Sequence, residues 1–255
     1  MSLTLAIYQG PPVQGDPEAG LERLARQLSA AAMAGARMLV APELFLPGYN
    51  RPDLHGQLAQ PQGGAWCQRL SDMARAAGCG LTVGWAERDG DRVYNAATAF
   101  DRDGAVLGHY RKMQLFGPME AASFSPGDSY CTFELDGIPT GLMICYDVEF
   151  AAHVCALAEK GAKLLLVPTA NPAGFEHVST TFVPARAAEC DLTVAYANFC
   201  GAEEGLTFGG RSLIAGPDAQ VIAAAGRTET LLITQIGPDP ADWLRSTQMQ
   251  DFRKV

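Results

Sequence analysis

Apolar residues along the chain fall into short continuous runs, separated by longer stretches where they recur every three or four positions. The first run, residues 3–9 (LTLAIYQ), reads as a buried strand. Over residues 17–34, Leu21, Leu24, Leu28 and Met33 keep helical spacing and Gly35 supplies the stop. A second short run occupies 37–41 (RMLVA), and 65–77 reads as a helix halted at Gly78. Segments 80–87, 93–100 and 105–110 predict strands joined by the turn sequences RDGDR and DRDG. The second half repeats the theme loosely. It predicts a strand at 138–144 (IPTGLMI), a helix at 149–160 ended by Gly161, a strand at 163–168 (KLLLVP), and a helix at 176–190 that Pro184 should kink or interrupt. Four more strands are expected at 192–198, 210–215, 219–225 and 230–236.

Strands that first alternate with helices and then follow one another predict a mixed α/β sandwich with its helices outside. No Pro/Ser-rich linker divides the chain, so residues 1–255 read as one domain. At 48% hydrophobic, with no low-complexity tract, the composition excludes disorder and supplies a generous core. A formal net charge of −9 argues against a general nucleic-acid or anionic-membrane binder, which needs clustered Lys and Arg. No apolar run approaches the roughly 18–20 residues that span a bilayer. The opening MSLTLAIYQG has neither a basic n-region nor a cleavage site, so no signal peptide is expected. The seven cysteines are odd in number and form no CxxC pair, which fits reduced thiols in a cytoplasm. The four histidines show no metal-ligand spacing, and no P-loop, dinucleotide fingerprint or G-x-S-x-G occurs. The expectation is an absence of metal and cofactor.

Three polar residues stand where apolar strands end, the place where a sheet holds a side chain rigidly while the next loop exposes it. Glu43, in RMLVAPELFLPGYN, is set among Leu39, Val40, Leu44, Phe45 and Leu46. Poor solvation there would raise its pKa and suit it to general acid–base work, or it serves as a helix N-cap or the partner of an arginine. Lys112, in GHYRKMQLFGP, is one of four lysines against fifteen arginines. In so Arg-biased a chain it marks either a need for a compact ammonium or an ordinary surface cation. Cys145, in GIPTGLMICYDVEF, follows an apolar strand and precedes a helix start. It is either a packed core cysteine or a thiol close to backbone N–H groups that stabilise a thiolate and an oxyanion.

Taken in order, PELFLPGY, YRK-x-x-LFG and LMICYDVEF resemble the carbon–nitrogen hydrolase family, the nitrilase superfamily. The resemblance runs from about residue 3 to about 236 and takes in GAKLLLVPTAN, PARAAEC and YANFCGAE. Within the superfamily it is most similar to small bacterial aliphatic amidases such as 5-aminopentanamidase. It implies a four-layer α-β-β-α sandwich, commonly a homodimer, with a Glu43–Lys112–Cys145 triad at the sheet ends. It implies hydrolysis of a small aliphatic amide to an acid and ammonia through a cysteine thioester, with Lys112 and the Tyr146 N–H forming the oxyanion hole. The relatives' second glutamate matches Glu120, which then orients Lys112 or positions substrate, or is an exposed loop carboxylate. The chain departs from the commoner motif with Gln114 where His is frequent and with Pro118 close to where some relatives carry an acid. The alternatives inside the superfamily are an N-carbamoyl amine or amino-acid hydrolase and a nitrilase; outside it, a catalytically silent binding protein. After Gly237 the chain has only a short tail, where relatives commonly continue with a segment that pairs subunits.

Around this triad, Asn171 and Pro172 are candidates for the pocket mouth. Asp147 and Glu149 recognise a substrate amine or complement the helix start. The acids near 120 and 147–149 lean towards a neutral or cationic substrate. Arg186 and Glu189, at i and i+3, read as a structural ion pair. Phe45, Tyr49, Phe116, Tyr146 and Phe175 are pocket walls or plain core. The substrate-binding set is thus Tyr49, Phe116, Glu149 and Asn171.

Overall fold

The computed structural model describes residues 2–237, 244–251 and 253. It opens with β1 (Leu3–Gln9), α1 (Pro17–Met33) and β2 (Met38–Val40), followed by α2 (Pro52–Leu58) and α3 (Ala65–Ala77). Three strands, β3 (Gly80–Asp89), β4 (Arg92–Phe100) and β5 (Val106–Arg111), lead to α4 (Gly117–Ser123). The second half runs through β6 (Cys131–Leu135), β7 (Ile138–Leu142), a 3₁₀ turn at Cys145–Glu149, α5 (Ala151–Glu159) and β8 (Leu164–Pro168). A π-type turn at Val178–Phe182 enters α6 (Val183–Glu189), and β9 (Thr193–Ala197) follows. The chain continues through a small hairpin, β10 (Ala202–Glu203) with β11 (Leu206–Thr207), then β12 (Leu213–Ala215), β13 (Val221–Ala224), β14 (Thr230–Ile236) and the short α7 (Gln248–Asp251).

Two six-stranded mixed sheets result, ordered β14-β1-β2-β3-β4-β5 and β13-β12-β9-β8-β7-β6. Their apolar runs are continuous because both faces of each sheet are covered. In β1, Leu3, Leu5 and Ile7 point into the space between the sheets, where they meet Leu142, Leu164, Leu166 and Ile214. Ala6 and Tyr8 face the other way, towards Leu21, Leu24 and Leu28 of α1 and Leu70 of α3. The second sheet does the same: Leu165, Val167 and Val194 face Val154 and Leu157 of α5 and Val183 and Ala187 of α6. This is the α-β-β-α layering implied by the family resemblance. Among the described residues, no helix is long and apolar enough to cross a membrane.

Element boundaries follow local chemistry. Asp16 caps α1 through Ala19 N at 3.1 Å, Pro17 occupies the first turn, and Gly35 takes a φ of +82° just after the end. The apolar stripe of α1 ends at Ala31, not at Met33, which is 91% exposed. Five residues beyond Leu28, Met33 is rotated about 140° off the stripe. The helix expected at 176–190 runs without a break over 176–189, and its irregularity lies just before Pro184, where the π-type turn at Val178–Phe182 replaces the regular α spacing. The strand expected over 138–144 stops at Leu142, and the helix expected from 149 begins at Ala151, because the 3₁₀ turn lies between them. In the parallel set β7-β8-β9 the carboxyl ends lie at one edge, so Cys145, Thr169 and Asn198 emerge together. Glu43 follows β2 at that same edge, and its N–H donates to Thr169 O at 3.3 Å, joining the two sheets.

Candidate active site

Glu43 is fully buried. Its Oε1 accepts from Asn95 Nδ2 at 2.7 Å and from Lys112 Nζ at 2.6 Å, while Oε2 has no hydrogen-bond partner among the described residues. Burial pushes the carboxyl up to about 7, against the opposing charge of Lys112. Backbone contact with β3 fixes the residue, since a Cβ at Gly84 would lie 2.5 Å from Leu44 N and 2.6 Å from Glu43 Cα. Gly84→Ala must therefore displace Glu43. The expected result is a kcat/KM at least tenfold lower and a destabilisation of about 1–3 kcal/mol, read by steady-state kinetics and thermal melting.

Lys112 leaves the end of β5 with its backbone pinned, its N–H donating to Asn95 O at 2.9 Å and its carbonyl accepting from Gly127 N at 2.8 Å. The ammonium is wholly buried and reaches Glu120 Oε1 at 2.7 Å as well as Glu43. Burial opposes its charge, but the two carboxylates and Cys145 outweigh burial and hold the pKa above its ordinary value. The surface-cation reading of Lys112 is excluded, as is the exposed-loop reading of Glu120. Glu120 is buried, and its second oxygen accepts from Phe116 N at 3.0 Å. Tyr49 donates its hydroxyl to Glu120 Oε1 at 2.8 Å, so its polar end is committed behind the lysine.

Cys145 opens the 3₁₀ turn with φ +48°, a left-handed conformation that costs a non-glycine residue about 1–3 kcal/mol. It is 8% exposed, against zero for its neighbours Met143 and Ile144. Burial pushes its thiol well above the ordinary value, the Glu43 charge adds to this, and Lys112 opposes it. The resting pair at neutral pH is therefore a protonated thiol beside a carboxylate close to its own midpoint. Such a pair suits proton transfer on demand.

The remaining expectations divide. Phe116 meets Tyr146 edge-on at 5.2 Å and Phe175 at 5.7 Å between ring centres, and all three are only partly buried or exposed, as pocket walls require. Phe45 is core: it is fully buried and stacks on Phe199 at 5.9 Å. Asn171 is 6% exposed and spends its amide on Phe175 O at 2.9 Å, shaping the loop that carries that ring. Glu149 is half-buried, its carboxyl raised by burial and opposed by His177, Lys112 and Arg186. Arg186 pairs with Glu189 at 2.9 Å and also donates to Glu149 O at 2.9 Å. Asp147 is not available to a substrate amine, because it is fully buried and accepts from Tyr110, Gln114 and Ile144. Gln114 contacts His153 Nε2 at 2.9 Å through its own side chain. Sequence reasoning missed Asn95 and Gly84. An amide inside the apolar strand RVYNAATAF is the one signal that pointed to Asn95.

Known proteins share the sequence pattern and the fold. The carbon-nitrogen hydrolase family model matches residues 4–243. A protein of Pseudomonas protegens described as a hydrolase in the pqqF 5' region is 43% identical over 235 residues, covering 91% of this chain and 82% of its own. An (R)-stereoselective amidase of Pseudomonas sp. is 34% identical over 219 residues, covering 85% of this chain and 79% of its own. The structure is also similar to that of a mutant amidase from Nesterenkonia sp. AN1, with a TM-score of 0.90 at 34% identity over 98% of this chain and 94% of that one. In that structure the acetamide moiety of fluoroacetamide is added covalently at the active-site cysteine. From the first strand to beyond the last, this chain belongs to the carbon–nitrogen hydrolase family.

Proposed function

We propose that the protein is an amidase that hydrolyses a small aliphatic amide to a carboxylic acid and ammonia, with Cys145 as nucleophile. One observation carries the reading: a wholly buried ammonium is clamped at 2.6 and 2.7 Å between two wholly buried carboxylates, and acts electrostatically on a cysteine in a left-handed turn. Amides resist hydrolysis because resonance weakens the carbonyl and the amine leaves poorly, and covalent catalysis divides that barrier. Glu43 takes the thiol proton through its unpaired Oε2 as sulfur attacks the carbonyl carbon. Lys112 and the Tyr146 N–H stabilise the oxyanion, at roughly 3–4 kcal/mol per donor. Glu43 returns the proton to the departing nitrogen, which leaves as ammonia from a Cys145 thioester. Water, deprotonated by Glu43, then releases the acid and restores the thiol. Glu120 holds Lys112 in place, while Tyr49, Phe116, Glu149 and Asn171 shape the mouth that receives the substrate.

The test is ammonia release across linear amides, ω-amino amides, nitriles and N-carbamoyl amines. Turnover of the amides supports the reading. Turnover confined to nitriles or N-carbamoyl compounds moves the activity elsewhere in the family, and no turnover of any of them favours a silent binding protein.

The pH dependence has a definite sign. Glu43 accepts a proton only as the carboxylate, and burial raises its pKa to about 7. kcat/KM on a neutral amide should therefore fall with acidification below about pH 7, approaching tenfold per pH unit. A flat profile between pH 5 and 7 would exclude Glu43 as the base.

A further inference from the structure

A single carboxylate joins the backbone segments that carry Lys112 and Cys145. Asp147 Oδ1 accepts from Gln114 N at 2.8 Å. Its Oδ2 accepts from the Tyr110 hydroxyl at 2.8 Å and from Ile144 N at 3.3 Å. Tyr110 and Gln114 stand two residues to either side of Lys112, while Ile144 and Asp147 itself flank Cys145. The two segments come from different sheets, for β5 is the edge of one and β7 lies in the other. Each segment has its own anchors, but their relative placement needs a connection across the sandwich.

We propose that Asp147 is a positioning residue, which sets Lys112 against the Cys145 sulfur without touching substrate. The proposal rests on the reading of these two residues as oxyanion donor and nucleophile. Three features carry it. Asp147 is fully buried, a costly place for a carboxylate unless its oxygens are satisfied, and here they take three donors. None of the three donors is a cation, so the group does not serve to neutralise a buried charge by direct contact. The left-handed turn at Cys145 is strained, and such strain persists only where the surroundings over-determine it; the bond to Ile144 N constrains that turn from within.

The experiment compares Asp147→Asn and Tyr110→Phe, each on the wild-type and the Lys112→Met background. Four quantities are read: kcat and KM on an amide, the rate of Cys145 alkylation by iodoacetamide, and the melting temperature. Asparagine presents an N–H₂ where one acceptor stood, so Asp147→Asn should lower kcat about 100-fold with KM changed less than threefold. Tyr110→Phe removes one donor and leaves the carboxylate, so it should lower kcat about fivefold to tenfold, with a melting temperature within a few degrees of wild type. Because the role acts through Lys112, Asp147→Asn should slow alkylation about tenfold when Lys112 is present and less than twofold when it is Met. An equal factor on both backgrounds overturns the proposal and marks a merely structural residue. Where Asp147→Asn or Lys112→Met does not fold, Tyr110→Phe decides alone: an unchanged kcat in the folded variant overturns the proposal. The alkylation cycle needs no amide turnover, so a failure of the amidase reading and a failure of this proposal give different results.

Discussion

Replacing Cys145 with alanine should lower kcat for amide hydrolysis by about 10⁵-fold while leaving the fold intact, because removing a covalent nucleophile removes the path and not merely a favourable contact. At 1.36 kcal/mol per decade, this loss corresponds to about 7 kcal/mol of barrier. The fold should tolerate the change. Alanine adopts the φ of +48° at a cost similar to that for cysteine, and the Asp147 bond to Ile144 N that constrains the turn is untouched. Melting within a few degrees of wild type, together with retained amide binding, is the expected accompaniment. Cys145→Ser is a sharper version of the same experiment. It keeps the shape and a proton for Glu43 to take, yet an alkoxide is much harder to form than a thiolate. A loss exceeding about 10³-fold is expected there, and near-wild-type turnover by the serine variant would mean that the thiol does not attack.

The second large effect belongs to Lys112→Met, and it should appear in stability as well as in rate. Glu43 Oε1 and Glu120 Oε1 lie 2.6 and 2.7 Å from the ammonium, so its removal leaves two buried carboxylates facing one vacated position. Breaking a buried pair by deleting one partner typically costs about 3–5 kcal/mol. Part of that cost is avoided if one carboxyl protonates. The sign follows: without the opposing charge of Lys112 the Glu43 carboxyl, already raised by burial, rises further, the folded state binds its proton more tightly than the unfolded chain does, and stability recovers on acidification. Wild type shows a smaller recovery, from Glu43, whose carboxyl burial already raises to about 7. Loss of an oxyanion donor adds at least about 10²–10³-fold in kcat. Lys112→Arg should not rescue, because a planar guanidinium is larger than the ammonium in a fully enclosed site. Lys112→Met combined with Glu120→Gln should regain part of the stability and little of the rate. Melting curves from pH 5 to 8, set beside kcat, check both halves.

Elements and site residues differ in how much of their placement the local sequence encodes. β1 and β8 are legible to within a residue because strands covered on both faces are almost wholly apolar, α3 because its helical spacing is bounded by Gly64 and Gly78, and β14 because its run of Leu and Ile ends at Gly237. α2, α4, β6 and the β10–β11 hairpin were not foreseen. They are short, and tertiary contacts hold them more than local pattern does: Pro52–Leu58 is anchored by His55 on Gly48 O at 3.0 Å, and Gly117–Ser123 by Glu120 on Lys112. At the site, Glu43, Lys112 and Cys145 stood out because each is a polar residue at the end of an apolar run. Asn95, Gly84 and the partners of Asp147 did not, since their roles arise from contacts between segments distant in sequence, which no local period records. Of the two readings open for Asp147, burial excludes the substrate amine and leaves the helix start: its oxygens turn inward to the Tyr110 hydroxyl, to Gln114 N and to Ile144 N at the N-cap of the 3₁₀ turn.

The most direct measurement is to mix the enzyme with propionamide, quench within a few turnovers and locate any acyl group by peptide mass spectrometry, with released ammonia counted in the same samples. A propionyl group on the peptide containing Cys145, lost on mild alkaline hydrolysis and absent from Cys145→Ala, is the result this account requires. Ammonia released by Cys145→Ala at an undiminished rate, or the acyl group found on another residue, would contradict it.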